Sequence, residues 1–274
     1  MKKKQLTGRI LRLITAAIGS LTVLLPLYFI VINSLKTSSE AGELNFAFPQ
    51  VIQWRNYIDV IEAGSLVRAF GNSMLISGAS VVICLIVSAM AAFSISRDRN
   101  KMNKGLYNYF FLGLIAPVNY VATIFVLKAL HIQNTYLGII LVNAAFGIPF
   151  LIFLFDSFIG GIPRELDEAA VIDGAGPLGL FFKIILPLLK PVTITGLVLN
   201  FLGAWNDFIT PLYLLNDTKK LGMINSIYNF FGQHFNEWNM IFADILLSVA
   251  PIMILYIFGQ KYIVSGPTAG AVQG

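Results

Sequence analysis

Charge is scarce in this chain: 12% of its 274 residues are Asp, Glu, Lys or Arg, where a soluble domain carries about 25%. That shortage excludes an ordinary water-facing globule. One cysteine, Cys84, lies in an apolar run, so no intrachain disulfide can form and the redox compartment is left open. The two histidines, His131 and His234, have no companion donors nearby in sequence. A zinc site needs three or four converging ligands, so none is expected. No glycine-rich phosphate loop ending in lysine is present, so the chain should not hydrolyse ATP itself. No nucleophile–base pair stands out, and no catalytic residue is assigned.

What the chain has instead is hydrophobicity: 57% of residues are apolar and the mean hydropathy is +0.76. Six runs are long enough to cross a bilayer: Ile10–Ile32, Phe70–Ser94, Leu106–Leu130, Tyr136–Ile159, Val192–Leu215 and Ile241–Val264. A lipid-exposed strand cannot satisfy its own backbone and no alternating barrel pattern appears, so the expected fold is all-α and polytopic, with six transmembrane helices. Residues 1–274 then form a single transmembrane domain with no room for a further soluble one. The basic start Met1-Lys2-Lys3-Lys4 superficially resembles a signal peptide. The apolar run behind it is too long and lacks a small-residue cleavage site, so it is read as a retained first span.

Loop charge sets the orientation. With the N-terminus inside, 13 of the 19 basic residues fall on inner segments and 6 on outer ones. The positive-inside rule therefore places both termini in the cytoplasm. The net charge of +5 is explained as a topology signal, and no nucleic-acid partner is expected. The third outer loop, Asn216–Met240, holds Tyr228, Phe230, Phe231, Phe235 and Trp238. It reads either as an interfacial aromatic belt or re-entrant helix, or as a surface touching an external partner.

Between the fourth and fifth spans, residues 160–190 form an inner loop rich in charge. Pro163 suits a helix start. Glu165, Asp167 and Glu168 complement the positive end of the helix dipole, and Gly174 suits a left-handed stop. Leu166, Ala169, Ala170 and Asp173 share one helical face, on which two alanines permit close approach to a groove. A second apolar segment, Leu178–Ile185, follows a turn at Gly176-Pro177, and Pro187 and Pro191 should break the chain before the fifth span.

Polar side chains inside spans are candidates for a solute path, because they cost free energy unless paired or wetted. In the fifth span these are Asn200, Trp205, Asn206 and Asp207. Asn119 and Tyr120 in the third span and Asn143 in the fourth are further candidates. Asn and Trp together supply the planar hydrogen-bonding groups and aromatic face that hold sugars. Interhelical hydrogen bonding uses the same residue types. Pro117, Pro149, Pro211 and Pro251 are expected to kink their helices. A secondary transporter driven by an ion gradient is the alternative class. It would favour charged groups near mid-membrane, which most spans here lack.

The spacing Glu168-Ala169-Ala170, Gly174, Ile184, Leu186-Pro187 resembles the cytoplasmic coupling loop of permease subunits in ATP-binding-cassette importers. Asn72-Ser73, the run from Gly203 to Phe208 and the tail 265–274 are similar to patterns of the maltose-transporter-type, carbohydrate-uptake class. Members of that class often carry a basic residue where Gln273 stands here. The resemblance implies a bacterial cytoplasmic-membrane subunit that translocates a sugar or oligosaccharide. Its partners would be a second homologous permease subunit, two ATPase subunits that bind ATP and Mg, and an extracytoplasmic solute-binding protein. Glu165, Glu168, Ala169, Ala170, Asp173, Gly174, Ile184, Leu186 and Pro187 would face the ATPases. The tail would reach toward the ATPase dimer interface. This chain itself would hold no cofactor.

Overall fold

The computed structural model describes residues 2–98, 100–231 and 237–268. The sequence expectations at Arg99, His234 and Phe235, and in the tail from residue 269 on, lie outside the described residues. Among the described residues there is no β-strand. Within the single transmembrane domain expected over 1–274, two compact units are distinguished: residues 1–67 with 226–250, and residues 68–225 with 251–274.

In the first unit, α1 (Lys2–Ser34) supplies a membrane-length apolar stretch, Arg12–Ser34. Two short helices, α2 (Ser38–Gly42) and α3 (Arg55–Ala63), follow it. The unit closes with Ser226, last residue of α13 (Met223–Ser226), and the first part of α14 (Trp238–Thr268). Two clusters of buried polar groups are bonded within this unit. Asn56 donates to the carbonyls of Ser34 (2.8 Å) and Lys36 (2.9 Å) and accepts from Asn239 (3.0 Å). Asp244 accepts from Ser226 at 2.9 and 2.8 Å and from Ser248 at 3.1 Å. Helix α2 opens on a reciprocal capping box: Thr37 accepts from the Glu40 backbone N–H, and the Glu40 carboxylate accepts from that of Thr37.

The second unit is a bundle built on α4 (Leu66–Arg97) and α7 (Tyr136–Ile159). Small residues bring their backbones together. Ser80 donates to the Ile140 carbonyl (3.1 Å) and Ser88 to that of Ile148 (3.3 Å). The third and fifth expected spans are each two helices. The third divides into α5 (Lys101–Ile115) and α6 (Tyr120–Ala129). Pro117 causes the break, because the residue before a proline is driven out of helical geometry, and Ala116 is extended at ψ 128°. Asn119 then restarts the helix by accepting from the Ala122 N–H (3.0 Å). The fifth divides into α11 (Lys190–Trp205) and α12 (Ile209–Leu214), with Asp207 accepting from the Thr210 N–H at 3.0 Å. Among the described residues, four helices are long and apolar enough to cross a membrane alone, and a fifth crossing counts if the bent pair 177–188 and 190–205 is one span. Of the six spans expected from hydropathy, the third and fifth are the two that contain breaks.

Asn72-Ser73, singled out in the sequence, pins a loop. The Asn72 amide donates to the carbonyls of Lys219 (2.8 Å) and Leu221 (2.9 Å) and accepts from the Tyr136 hydroxyl (2.8 Å). Ser73 Oγ accepts from the Met223 N–H at 2.8 Å. Asn72→Ala should strip partners from three polar groups and cost about 1–3 kcal/mol, read as a lowered Tm of the solubilised chain.

The backbone N–H of Thr37, then that of Gln50 and the Thr37 hydroxyl, hold the Glu40 carboxyl below its ordinary pKa. A depressed folded-state pKa stabilises the fold above the unfolded value, and that contribution is lost as pH falls through the folded one. The Tm difference between wild type and Glu40→Gln should therefore be largest near neutral pH and shrink on acidification.

Candidate functional site

The loop between α7 and α11 begins with α8 (Glu165–Ile172). Pro163 stands one residue before the Arg164 cap rather than inside the first turn, and Glu165, Asp167 and Glu168 fill that turn as expected. The stop is a double hydrogen bond: Ala175 N–H to the Ala170 carbonyl (2.9 Å) and Gly174 N–H to that of Val171 (3.0 Å). Gly174 closes it at φ +82°, a conformation that costs an L-residue about 1–2 kcal/mol.

The shared face expected for Leu166, Ala169, Ala170 and Asp173 divides. Ala170 is buried against its own chain, while Leu166, Ala169 and Asp173 are exposed with Glu165 and Glu168. The outward apolar surface is carried by Val171, Ile172 and, beyond the turn, Leu178 and Phe182; Ile172 is 85% exposed.

Asp167 points the other way. Its carboxylate meets Arg97, the last residue of α4: Nη2 donates to Oδ1 at 3.2 Å, and Nε lies 2.7 Å from Oδ2 as a charge contact off the N–H axis. Arg97 Nη1 also donates to the carbonyls of Ile159 (3.4 Å) and Ile162 (3.1 Å), at the end of α7. One guanidinium thus fastens α8 to the ends of two long helices, using the forked geometry that lysine lacks. Sequence reading placed Arg97 only in a charge count. The first charge after an apolar run was the available signal.

After Gly176 the chain is helical from 177 to 188: α9 (Pro177–Leu180), a π-turn (Phe181–Ile185) and α10 (Leu186–Leu188). It then turns by 75° into α11. The break expected from Pro187 and Pro191 before the fifth span thus falls between them, at Leu189. Ahead of Pro187 the helix widens into the π-turn, in which Leu186 N–H bonds to the Phe181 carbonyl. Ile184 and Leu186 are half-buried and Pro187 is exposed, whereas Phe181, Ile185 and Leu189 form the buried side. Phe181 packs on Phe93 of α4, with ring centroids 5.5 Å apart.

A second feature is a cleft of about 270 Å³ between α7 and α11. From α7 come Asn143, Phe146, Gly147 and Phe150; from α11 come Leu199, Asn200, Gly203 and Ala204; Asp207 stands just past the end. Asn200 Nδ2 donates to the Gly196 carbonyl (3.0 Å), and Asn143 Nδ2 is buried without a partner. A Cβ on Gly147 would fall 2.4 Å from Asn200 Oδ1 and 2.8 Å from Cys84 Sγ, so only glycine allows this approach. Phe146 and Phe150 expose their rings beside these amides.

The structure gathers Asn200, Asn143 and Asp207 at the cleft but not the other predicted path residues. Trp205 is 1% exposed, stacked on Phe201 (5.6 Å) with Phe70 at 5.9 Å. Asn206 is exposed and donates back to the Leu202 carbonyl. Asn119 caps α6, and Tyr120 stacks on Tyr213 of α12 at 5.0 Å. A larger hollow of about 360 Å³, lined by Lys104, Tyr107, Asn108 and Asp156, contains none of the predicted site residues.

Known proteins supply the context for this geometry. The chain is 33% identical over 269 residues to the melibiose/raffinose/stachyose import permease protein MelC of Bacillus subtilis, covering 96% of this chain and 97% of that one. It is 33% identical to the multiple sugar-binding transport system permease protein MsmG of Streptococcus mutans, over the full length of both. A chain of a bacterial ABC transporter involved in import of the acidic polysaccharide alginate shares the fold at TM-score 0.83 and 21% identity, over 96% of this chain and 98% of that chain. The family model for the inner-membrane component of binding-protein-dependent transport systems matches residues 84–267, and the chain belongs to that family.

Proposed function

We propose that the chain is one permease subunit of an ATP-driven importer in the bacterial cytoplasmic membrane, passing a sugar or oligosaccharide received from an external binding protein. The observation that carries this reading is α8: fastened to α4 and α7 through Arg97, it turns Val171 and Ile172 outward between two apolar segments. Two partner ATPase subunits, which bind ATP and Mg, would grip that surface, and a second homologous permease would complete the pathway. The named relatives that handle oligosaccharides support the cargo class. Six crossings follow if α5–α6 and α11–α12 each count as one broken span beside α1, α4, α7 and α14. The count of basic residues then puts both termini and α8 in the cytoplasm.

In the cleft, amide groups of Asn143 and Asn200 would meet sugar hydroxyls while Phe146 and Phe150 offer ring faces. Asn143 is the sharper candidate, because its buried donor lacks a partner and a hydroxyl would satisfy it. Trp205 belongs to the packing that holds α11 straight beneath the cleft.

Coupling is tested in proteoliposomes containing the assembled transporter. Glu168→Lys, or Gly174→Val, should abolish substrate-stimulated ATP hydrolysis and co-purification of the ATPases, with membrane insertion unchanged. Asp167→Ala should weaken stimulation by about tenfold, the worth of a partly buried ion pair of ~1–2 kcal/mol. Normal stimulation in all three removes the coupling role, as does labelling of a cysteine placed at Ile172 from outside intact cells.

The cleft is tested by uptake. Asn143→Ala and Asn200→Ala should each cut transport about 2- to 10-fold or alter sugar preference, the expected effect of one lost hydrogen bond of ~0.5–1.5 kcal/mol. Trp205→Ala should instead lower stability by about 3–5 kcal/mol, seen as a fall in Tm. Unchanged rate and preference in both asparagine variants would make the cleft a packing feature.

A further inference from the structure

The stretch Leu44–Trp54 carries no charge across eleven residues, yet most of it is exposed. Phe46, Phe48, Val51, Ile52 and Trp54 all face outward; Phe48 is 77% and Trp54 66% exposed. A loop in water has no reason to keep that composition. The chain leaves α1 at Ser34 and then doubles back along it. Phe46 stacks against Tyr28 (centroids 6.4 Å) and packs on Phe29 (5.0 Å), and Phe48 meets the Tyr28 ring edge-on at 6.2 Å. Tyr28 lies six residues before the end of α1, about 9 Å back along the helix at 1.5 Å per residue.

The doubled-back path is built, not incidental. Lys36, 2% exposed, uses its ammonium on Asn33 Oδ1 (2.9 Å), Asn45 Oδ1 (2.8 Å) and the Asn45 carbonyl (3.0 Å). All three of its N–H donors are thereby matched. The Asn33 amide adds a second bond to the Asn45 carbonyl (3.2 Å), and Gln53 N–H bonds to the Leu35 carbonyl (2.8 Å). This lysine, counted by sequence as a topology charge, is a staple.

We propose that residues 44–54 form an interfacial membrane anchor, lying in the headgroup layer beside the end of α1 and stapled there by Lys36. The occupant of the exposed apolar face is lipid. The face is continuous with α1, which is exposed along 12–28 where a span meets acyl chains. Its distance from the end of α1 matches the roughly 5–10 Å depth at which amphipathic elements sit. Aromatic side chains dominate, as at bilayer boundaries. The first charges beyond it, Arg55 and Asp59, pair with each other at 3.4 Å on the polar side of α3. The inference holds whichever side of the membrane this end of α1 reaches, so it stands apart from the coupling role assigned to α8.

The test is a nitroxide on Phe48→Cys in the full-length chain, reconstituted in phosphatidylethanolamine/phosphatidylglycerol vesicles. The label on Ser39→Cys serves as the aqueous reference, and the unsubstituted chain, whose single Cys84 is buried, as background. Relaxation by oxygen should exceed relaxation by a water-soluble nickel chelate at position 48, with the ratio several-fold above that at position 39. Adding Lys36→Met should move the ratio toward the aqueous reference. A ratio at 48 equal to that at 39 would overturn the proposal by placing the segment in water. Low access to both relaxants would overturn it too, by showing that a protein, whether a second permease or a binding protein, covers the face. An unchanged ratio in the Lys36→Met background would remove the staple.

Discussion

The Arg97 guanidinium is where the second unit is tied together. It closes α4, adds a donor to the Ile159 and Ile162 carbonyls at the end of α7, and holds Asp167 in the first turn of α8. An eight-residue helix has no independent stability, since nucleation outweighs the few bonds it makes. Its persistence depends on that clamp at one end and the Gly174 stop at the other. Both devices leave the side facing away from the bundle free. The exposed apolar surface at Val171 and Ile172 is part of that free side, which neither device uses.

The two broken spans follow a common rule. A helix break inside the apolar layer is tolerated when side chains replace the missing backbone partners. Asn119 does so for α6 and Asp207 for α12, each accepting from a backbone N–H three residues on. The restarted helices then pack on each other through Tyr120 and Tyr213, with the Tyr120 hydroxyl 3.4 Å from Thr210 Oγ1. Residues that read as solute contacts by composition are thus used first to repair the backbone. Polar groups in a span always have two possible employers, and only geometry separates them.

That division explains what was legible in the sequence. Four of the six apolar runs were, because each folds as one helix long enough to cross a membrane. So were the Gly174 stop and the acidic first turn of α8, since each rests on local backbone physics. Asn72-Ser73 was visible as a pattern but not as a clamp on the 219–223 loop, because its partners lie about 150 residues away. Pro117 was legible as a kink but not as a full break, and the break at Asp207 was hidden, since hydropathy averages over a window and neither break changes that average. The break between Pro187 and Pro191 was legible, since both prolines lack an N–H, but the π-turn ahead of it was not, because nothing in residue spacing announces such a turn. Trp205 read as a sugar platform because an aromatic near amides in a span suggests one; in the structure it is buried, stacked on Phe201 with Phe70 in a T-shaped contact.

Cleft and loop are joined by covalent geometry as well as by proposal. The helices that wall the cleft, α7 and α11, are the two that flank the loop. Their attachments to it differ. α7 runs unbroken to Ile159 and is fastened to α8 through the Arg97 hydrogen bonds at Ile159 and Ile162. α11 is reached only through a π-turn and a 75° bend. A push on α8 would therefore arrive at α7 through a stiff link and at α11 through a compliant one. Unequal transmission is what opens or closes a gap between two helices, whereas equal transmission would carry both along and leave the cleft unchanged. Asn143 and Asn200 sit on opposite walls of that gap, and the Gly147 contact sets how closely the walls meet. Under the proposed coupling, the asymmetry of the two attachments is the feature that converts movement of the loop into a change at the cleft.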